Sequence, residues 1–136
     1  MVTLIGMGSG SWEALSVQAQ DAVRRAGLVF GAKRLLAGLP PECTARQFAL
    51  YQPAEILETL AQAPGQDAAV LYSGDTGFYS GASGLLTPLR ALGIPARVYP
   101  GVSSIQLLAA ALGRPWQDWK LVSAHGCACD PVAQGM

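Results

Sequence analysis

The chain has 136 residues, 51% apolar and only 13% charged, a length at which one hydrophobic core forms and a second full domain is excluded. Its 16 Gly and 9 Pro are dispersed, so the apolar excess rules out a disordered polyelectrolyte and a collagen-like repeat. Nine Lys and Arg balance nine Asp and Glu, which leaves no field to attract nucleic acid or an anionic membrane surface.

In chain order, Val2 to Ile5 is a β-branched apolar run stopped by Gly6, the pattern of a strand buried on both faces. It has no positive leading region and is too short for a signal peptide or a membrane span, so a cytoplasmic protein is expected. From Leu15 the positions Leu15, Ala19, Ala22, Val23 and Ala26 recur at helical spacing, with Ser16 as cap and Gly27 as stop. Leu28 to Phe30 is a second strand, and Ala32 to Ala37 a helix closed by Gly38 and Pro40-Pro41. Gln47 to Leu50 is a third strand before a helix over Pro53 to Glu58, where proline suits the first turn.

Ala68 to Tyr72 is a fourth strand, Gly84 to Leu92 a helix ended by Gly93, and Ala96 to Tyr99 a fifth strand. A helix from Ser103 to Leu112 stops at Gly113. Short strands and helices in alternation define an α/β fold, a mainly parallel five-stranded sheet with helices on both faces. Residues 1–113 form that domain, and 114–136 read as a linker and the first strand, Leu121 to Ala124, of a second domain that the chain cuts short. Trp116 and Trp119 read as packing residues at the junction.

Three loops rich in small residues leave strand ends: Gly6 to Ser11, Ser73 to Gly81, and Pro100 to Ser104. A parallel sheet gathers such loops along one edge, where small residues admit positive φ and let a ligand approach the backbone. The first loop lacks the G-x-G-x-x-G spacing, since Ser11 stands at the third glycine, and no acid follows the second strand to hold a ribose. A dinucleotide reading is therefore disfavoured, and the absence of Gly-Lys-Ser or Gly-Lys-Thr excludes a P-loop. Asp75, between glycines at a strand end, is either a turn residue capping its own backbone or an acid that orients a ligand or holds its loop.

Cys43, Cys127 and Cys129 are too few for a disulfide framework, which fits a reducing compartment. His125 beside Cys127 and Cys129 matches no standard zinc spacing, so no metal site is expected. With a single His in the chain, no Ser-His-Asp or Cys-His arrangement is expected to carry catalysis.

The loops, quoted as Val2-Thr3-Leu4-Ile5-Gly6-Met7-Gly8-Ser9-Gly10, Leu71-Tyr72-Ser73-Gly74-Asp75-Thr76-Gly77-Phe78-Tyr79-Ser80 and Pro100-Gly101-Val102-Ser103-Ser104, together with Ser123-Ala124-His125-Gly126, carry a resemblance. The chain resembles the N-terminal part of the tetrapyrrole methylases of cobalamin biosynthesis, in particular their precorrin-6Y methyltransferase branch. That resemblance implies S-adenosylmethionine as methyl donor, bound in a cleft between two α/β domains, and a precorrin ring methylated at carbon 5. It also implies cofactor contacts at Ser9, Ser73, Gly74, Asp75, Phe78, Ser103 and Ser104, and substrate contact at His125, although the branch pattern has a basic residue where Cys127 stands. A catalytically silent binding or assembly module on the same fold is the alternative. With its junction uncovered, the chain is expected to self-associate, most simply as a homodimer, and by itself to bind cofactor weakly and transfer no methyl group.

Overall fold

The computed structural model describes residues 1–77, 80–117 and 119–120. The chain divides into two compact units, Met1–Ser103 and Ser104–Met136. The first holds β1 (Val2–Gly6), α1 (Val17–Arg25), β2 (Leu28–Phe30), α2 (Lys33–Leu36), β3 (Arg46–Phe48), α3 (Pro53–Ala61), β4 (Ala68–Tyr72), α4 (Ala82–Ala91) and β5 (Ala96–Tyr99); the second holds α5 (Ser104–Leu112).

The five strands pair in the order β3-β2-β4-β1-β5, and every pairing is parallel. Parallel strands present successive side chains to opposite faces, and both faces here are apolar. Ile5, Val29, Ala69 and Leu71 pack with Ala19 and Val23 of α1 and Leu35 and Leu36 of α2. Val2, Leu4, Leu28, Phe30, Ala68 and Val70 pack with Ile56 of α3 and Ala82, Leu85 and Leu89 of α4.

Strand order explains this division of the helices. From β1 through β2 to β3 the chain moves toward one edge of the sheet; from β3 through β4 to β5 it moves back. Crossovers between parallel strands are right-handed, so the outward and return connections must lie on opposite faces. The neighbours β1 and β4 therefore send their chains to opposite faces, β1 to α1 and β4 to α4. Between their carboxyl ends lies a topological switch point.

Element boundaries differ from the expected ones where local hydrogen bonds intervene. Leu15 closes a 3-10 turn over Trp12–Ala14 by donating to the Trp12 carbonyl at 3.1 Å. α1 then begins at Val17, with the Ser16 hydroxyl accepting from the Ala19 amide at 3.2 Å as an N-cap. β3 covers Arg46–Phe48 rather than Gln47 to Leu50, because its one partner, β2, offers three residues. α4 starts at Ala82, two positions before Gly84, where the Ser80 hydroxyl accepts from the Ala82 amide at 3.2 Å.

In the second unit, Gly113 ends α5 with φ 66°, its amide donating to the Ala110 carbonyl at 3.1 Å and that of Arg114 to Ala109 at 3.0 Å. The expected strand Leu121 to Ala124 lies outside the described residues. Among the described residues no helix is long and apolar enough to cross a membrane.

Candidate functional site

At the switch point the loops after β1 and β4 continue to pair beyond the strands. The Met7 amide donates to the Tyr72 carbonyl at 2.7 Å, and Gly8 and Gly74 exchange amide-to-carbonyl bonds at 3.0 and 2.8 Å as an antiparallel bridge. Gly8, Gly10 and Gly74 hold φ of 59°, 98° and 69°, backbone that L-residues adopt only with strain.

The loop after β5 joins this pair through Asp75. One carboxylate oxygen accepts from the Gly101 amide at 3.0 Å and the other from the Gly77 amide at 3.3 Å. The turn-capping and loop-holding roles of Asp75 thus coexist, one on each oxygen. Thr76, buried beside it, donates its hydroxyl to the Tyr99 carbonyl at 3.3 Å.

The glycines that allow this approach differ from those that supply positive φ. A Cβ on Gly6 would lie 2.7 Å from both the Gly101 amide nitrogen and the Gly74 carbonyl oxygen. A Cβ on Gly101 would collide with the Gly74 and Gly6 carbonyls. These two positions keep side chains out so that three backbones can meet.

Ser9, between Gly8 and Gly10, is exposed, as is Ser73; Gly74 and Asp75 are half-buried. Ser103 is buried at 4% exposure, with its Cα 3.8 Å from where a Gly74 Cβ would stand. The first unit therefore brings Ser9, Ser73, Gly74, Asp75 and Ser103 to one edge. Ser104 is exposed at the start of α5, in the second unit. Phe78 and His125 lie outside the described residues.

Sequence reasoning missed Thr76 and the packing role of Gly101. A threonine directly after a strand-end aspartate was the available signal for the first; the second depends on contacts distant in sequence.

Two titratable side chains pack into the cores that flank the sheet, Tyr72 from the end of β4 and Cys43 from the turn before β3. Desolvation pushes the Tyr72 phenol up to about 12, and its hydroxyl has no hydrogen-bond partner among the described residues. Burial likewise raises the Cys43 thiol, which packs in the α1 and α2 core as an apolar residue.

A cavity of about 410 Å³ opens at the opposite, amino edge of the sheet, lined by Leu57, Leu60, Leu92, Ile94 and Pro95 among others. Its wall is aliphatic, with Gln66 as the one polar side chain among the described residues apart from the Met1 terminus. It lacks the convergent polar groups that orient a substrate.

Together, the strand order, the glycine loops at the switch point and the anchored carboxylate define an α/β domain of the open parallel class, in which such switch points are the usual ligand edge. A family model for Tetrapyrrole (Corrin/Porphyrin) Methylases matches residues 1–134, and the chain belongs to that family. It is 34% identical over 128 residues to the cobalt-precorrin-7 C(5)-methyltransferase of Salmonella typhimurium, covering 93% of this chain and 62% of that protein. It is 32% identical over 133 residues to the decarboxylating precorrin-6Y C(5,15)-methyltransferase of a Sinorhizobium species, covering 96% of this chain and 32% of the relative. The crystal structure of the methyltransferase CobJ superposes with a TM-score of 0.71 at 27% identity, over 84% of this chain and 51% of that one. The chain thus spans about three-fifths or less of these proteins.

Proposed function

We propose that this chain supplies the glycine-loop wall of an S-adenosylmethionine-dependent methyltransferase that methylates carbon 5 of a precorrin ring. The names of the Salmonella and Sinorhizobium relatives support the acceptor and the position. The observation that carries the reading is the joining of three loops at the switch point by Asp75, Gly8 and Gly74. That joining is built from backbone groups and one acid, with the exposed hydroxyls of Ser9 and Ser73 beside it.

The described residues fit such a cofactor. A Cβ on Gly8 would find its nearest neighbours at 3.5 Å and one on Gly74 at 3.8 Å, so both glycines leave ordinary contact distance where a bulky side chain is absent. Each Asp75 oxygen accepts one loop amide and keeps lone-pair capacity for a further donor. When bound, S-adenosylmethionine supplies a methyl group activated on a sulfonium. In this reading Ser9, Ser73 and Ser103 would hold and orient the donor, Phe78 and Ser104 would complete the contacts, and His125 would meet the acceptor.

An electron-rich tetrapyrrole carbon is already a nucleophile, so the residues need to align donor and acceptor rather than supply a base. Residues 1–113 form the amino-terminal methylase domain in this reading, and 114–136 lead into a second domain that provides the facing wall.

Calorimetric titration of the chain with S-adenosylhomocysteine tests the reading. Saturable binding is the expected result. No heat at millimolar ligand would overturn it.

A further inference from the structure

The first unit sorts its cations unevenly along the strands. Arg24 pairs with Asp21 and Glu42 at 3.1 and 3.2 Å, and Arg46 stacks over the Phe48 ring. Arg97 donates to the Tyr99 hydroxyl at 3.0 Å. Arg25 and Arg90 stand in the last turns of α1 and α4, which lead back to the amino edge. Lys33 and Arg34 alone in this unit directly follow the carboxyl end of a strand, β2.

Arg34 is exposed and has no ion pair, hydrogen bond or ring contact among the described residues. Its place is nonetheless set. Leu35 and Leu36, the next two residues, are buried in the core against α1. The guanidinium Nη1 lies 3.3 Å from where a Cβ on Gly10 would stand, and Leu35 Cδ2 lies 3.5 Å from the same point. A Cβ on Gly38 would come within 2.9 Å of the Gly10 carbonyl oxygen, so α2 and its following turn support the glycine loop from beneath. The acids in ion pairs among the described residues, Asp67, Asp21 and Glu42, are held by the Met1 terminus and Arg24.

An unpaired guanidinium resting on the loop that borders the ligand edge is a fork for a planar anion. We infer that Arg34, with Lys33 beside it, is a carboxylate-recognition position for the ligands of this site, an assignment that rests on the methyltransferase reading above. The reading offers one chemistry from two sources: the peripheral carboxylates of a tetrapyrrole acceptor, or the α-carboxylate of the methyl donor.

The test compares the full chain with Arg34→Ala and Arg34→Lys by chemical-shift titration. The probes are uroporphyrin III, a polycarboxylate tetrapyrrole; S-adenosylhomocysteine, which has an α-carboxylate; and methylthioadenosine, which has none. Arg34→Ala is expected to weaken a carboxylate-bearing probe about tenfold, with partial recovery in Arg34→Lys and no change for methylthioadenosine. Loss confined to uroporphyrin identifies the acceptor as the source, and loss confined to S-adenosylhomocysteine identifies the donor. Either supports the assignment. Wild-type chain that binds its probes while Arg34→Ala binds them equally overturns the assignment and leaves the methyltransferase reading standing. Wild-type chain that binds none of them overturns the reading itself, and the assignment with it. Arg34 is exposed, and an unchanged urea midpoint in both variants is expected; a lowered midpoint together with lost binding to all three probes marks Arg34 as structural and overturns the assignment.

Discussion

The two edges of the sheet make different demands on glycine. At the amino edge, Gly65 and Gly93 have φ of 80° and 71°, and a Cβ on either would meet nothing within 4 Å. They let the chain turn and leave open space around them, next to an aliphatic cavity. At the carboxyl edge, Gly6 and Gly101 are confined by backbone from neighbouring loops. There the absence of a side chain is itself the packing, and the loops it brings together carry the candidate chemistry. Gly65 and Gly93 thus report backbone conformation alone, whereas the carboxyl edge needs glycine for both reasons: positive φ at Gly8, Gly10 and Gly74 and interatomic space at Gly6 and Gly101.

The comparison is broken most directly by adding one methyl group at each edge. Gly101→Ala is expected to cost about 3 kcal/mol, because carbonyl groups rather than flexible side chains block the new Cβ. Gly93→Ala, with strain of φ but no clash, is expected to cost about 1 kcal/mol. Urea unfolding of both variants checks the ratio, and equal losses would remove the distinction.

Removing the clamp is the next largest change. Asp75→Ala frees the Gly101 and Gly77 amides and is expected to cost on the order of 1.5 to 3 kcal/mol in stability, together with weaker S-adenosylhomocysteine binding in calorimetry. Glu58→Ala, exposed on α3, serves as the control and should change neither quantity. Thr76→Val, which loses the hydroxyl bond to Tyr99, should cost about 1 kcal/mol by the same unfolding measurement.

Tyr72 sharpens the contrast from behind the loops, and with the opposite sign. Its hydroxyl is buried with no partner among the described residues, so Tyr72→Phe is expected to stabilise by about 1 kcal/mol at neutral pH. The phenol titrates at about 12 in the fold and near 10 when unfolded. Between those values the unfolded state releases the proton first, so stability present below pH 10 is lost as pH rises toward 12. Tyr72→Phe should flatten that decline, which unfolding curves across the alkaline range would show.

Much of the fold was legible because its signals are local. Val2 to Ile5 is a short run stopped by Gly6, Ala68 to Tyr72 an apolar run stopped by Ser73-Gly74, and Ala96 to Tyr99 a segment between prolines, and helical spacing in Ala19, Val23 and Ala26 marked the buried stripe of α1. The gathering of three small-residue loops on one edge also followed, since it needs only that the strands be parallel. The limits of β3 did not follow, because an edge strand ends where its single partner ends.

By itself, then, the sequence determined the alternation of strands and helices, their turns, and which loops share an edge, all of which depend on neighbours a few residues apart. Tertiary structure alone decided that β4 inserts between β1 and β2, which creates the switch point. It also decided that the Asp75 carboxylate meets Gly101, 26 residues away, and that Arg34 lies on the glycine loop. Such pairings carry no periodicity along the chain. They arise when right-handed crossovers and burial of both sheet faces select one strand order, and only that order brings the loops within hydrogen-bond reach.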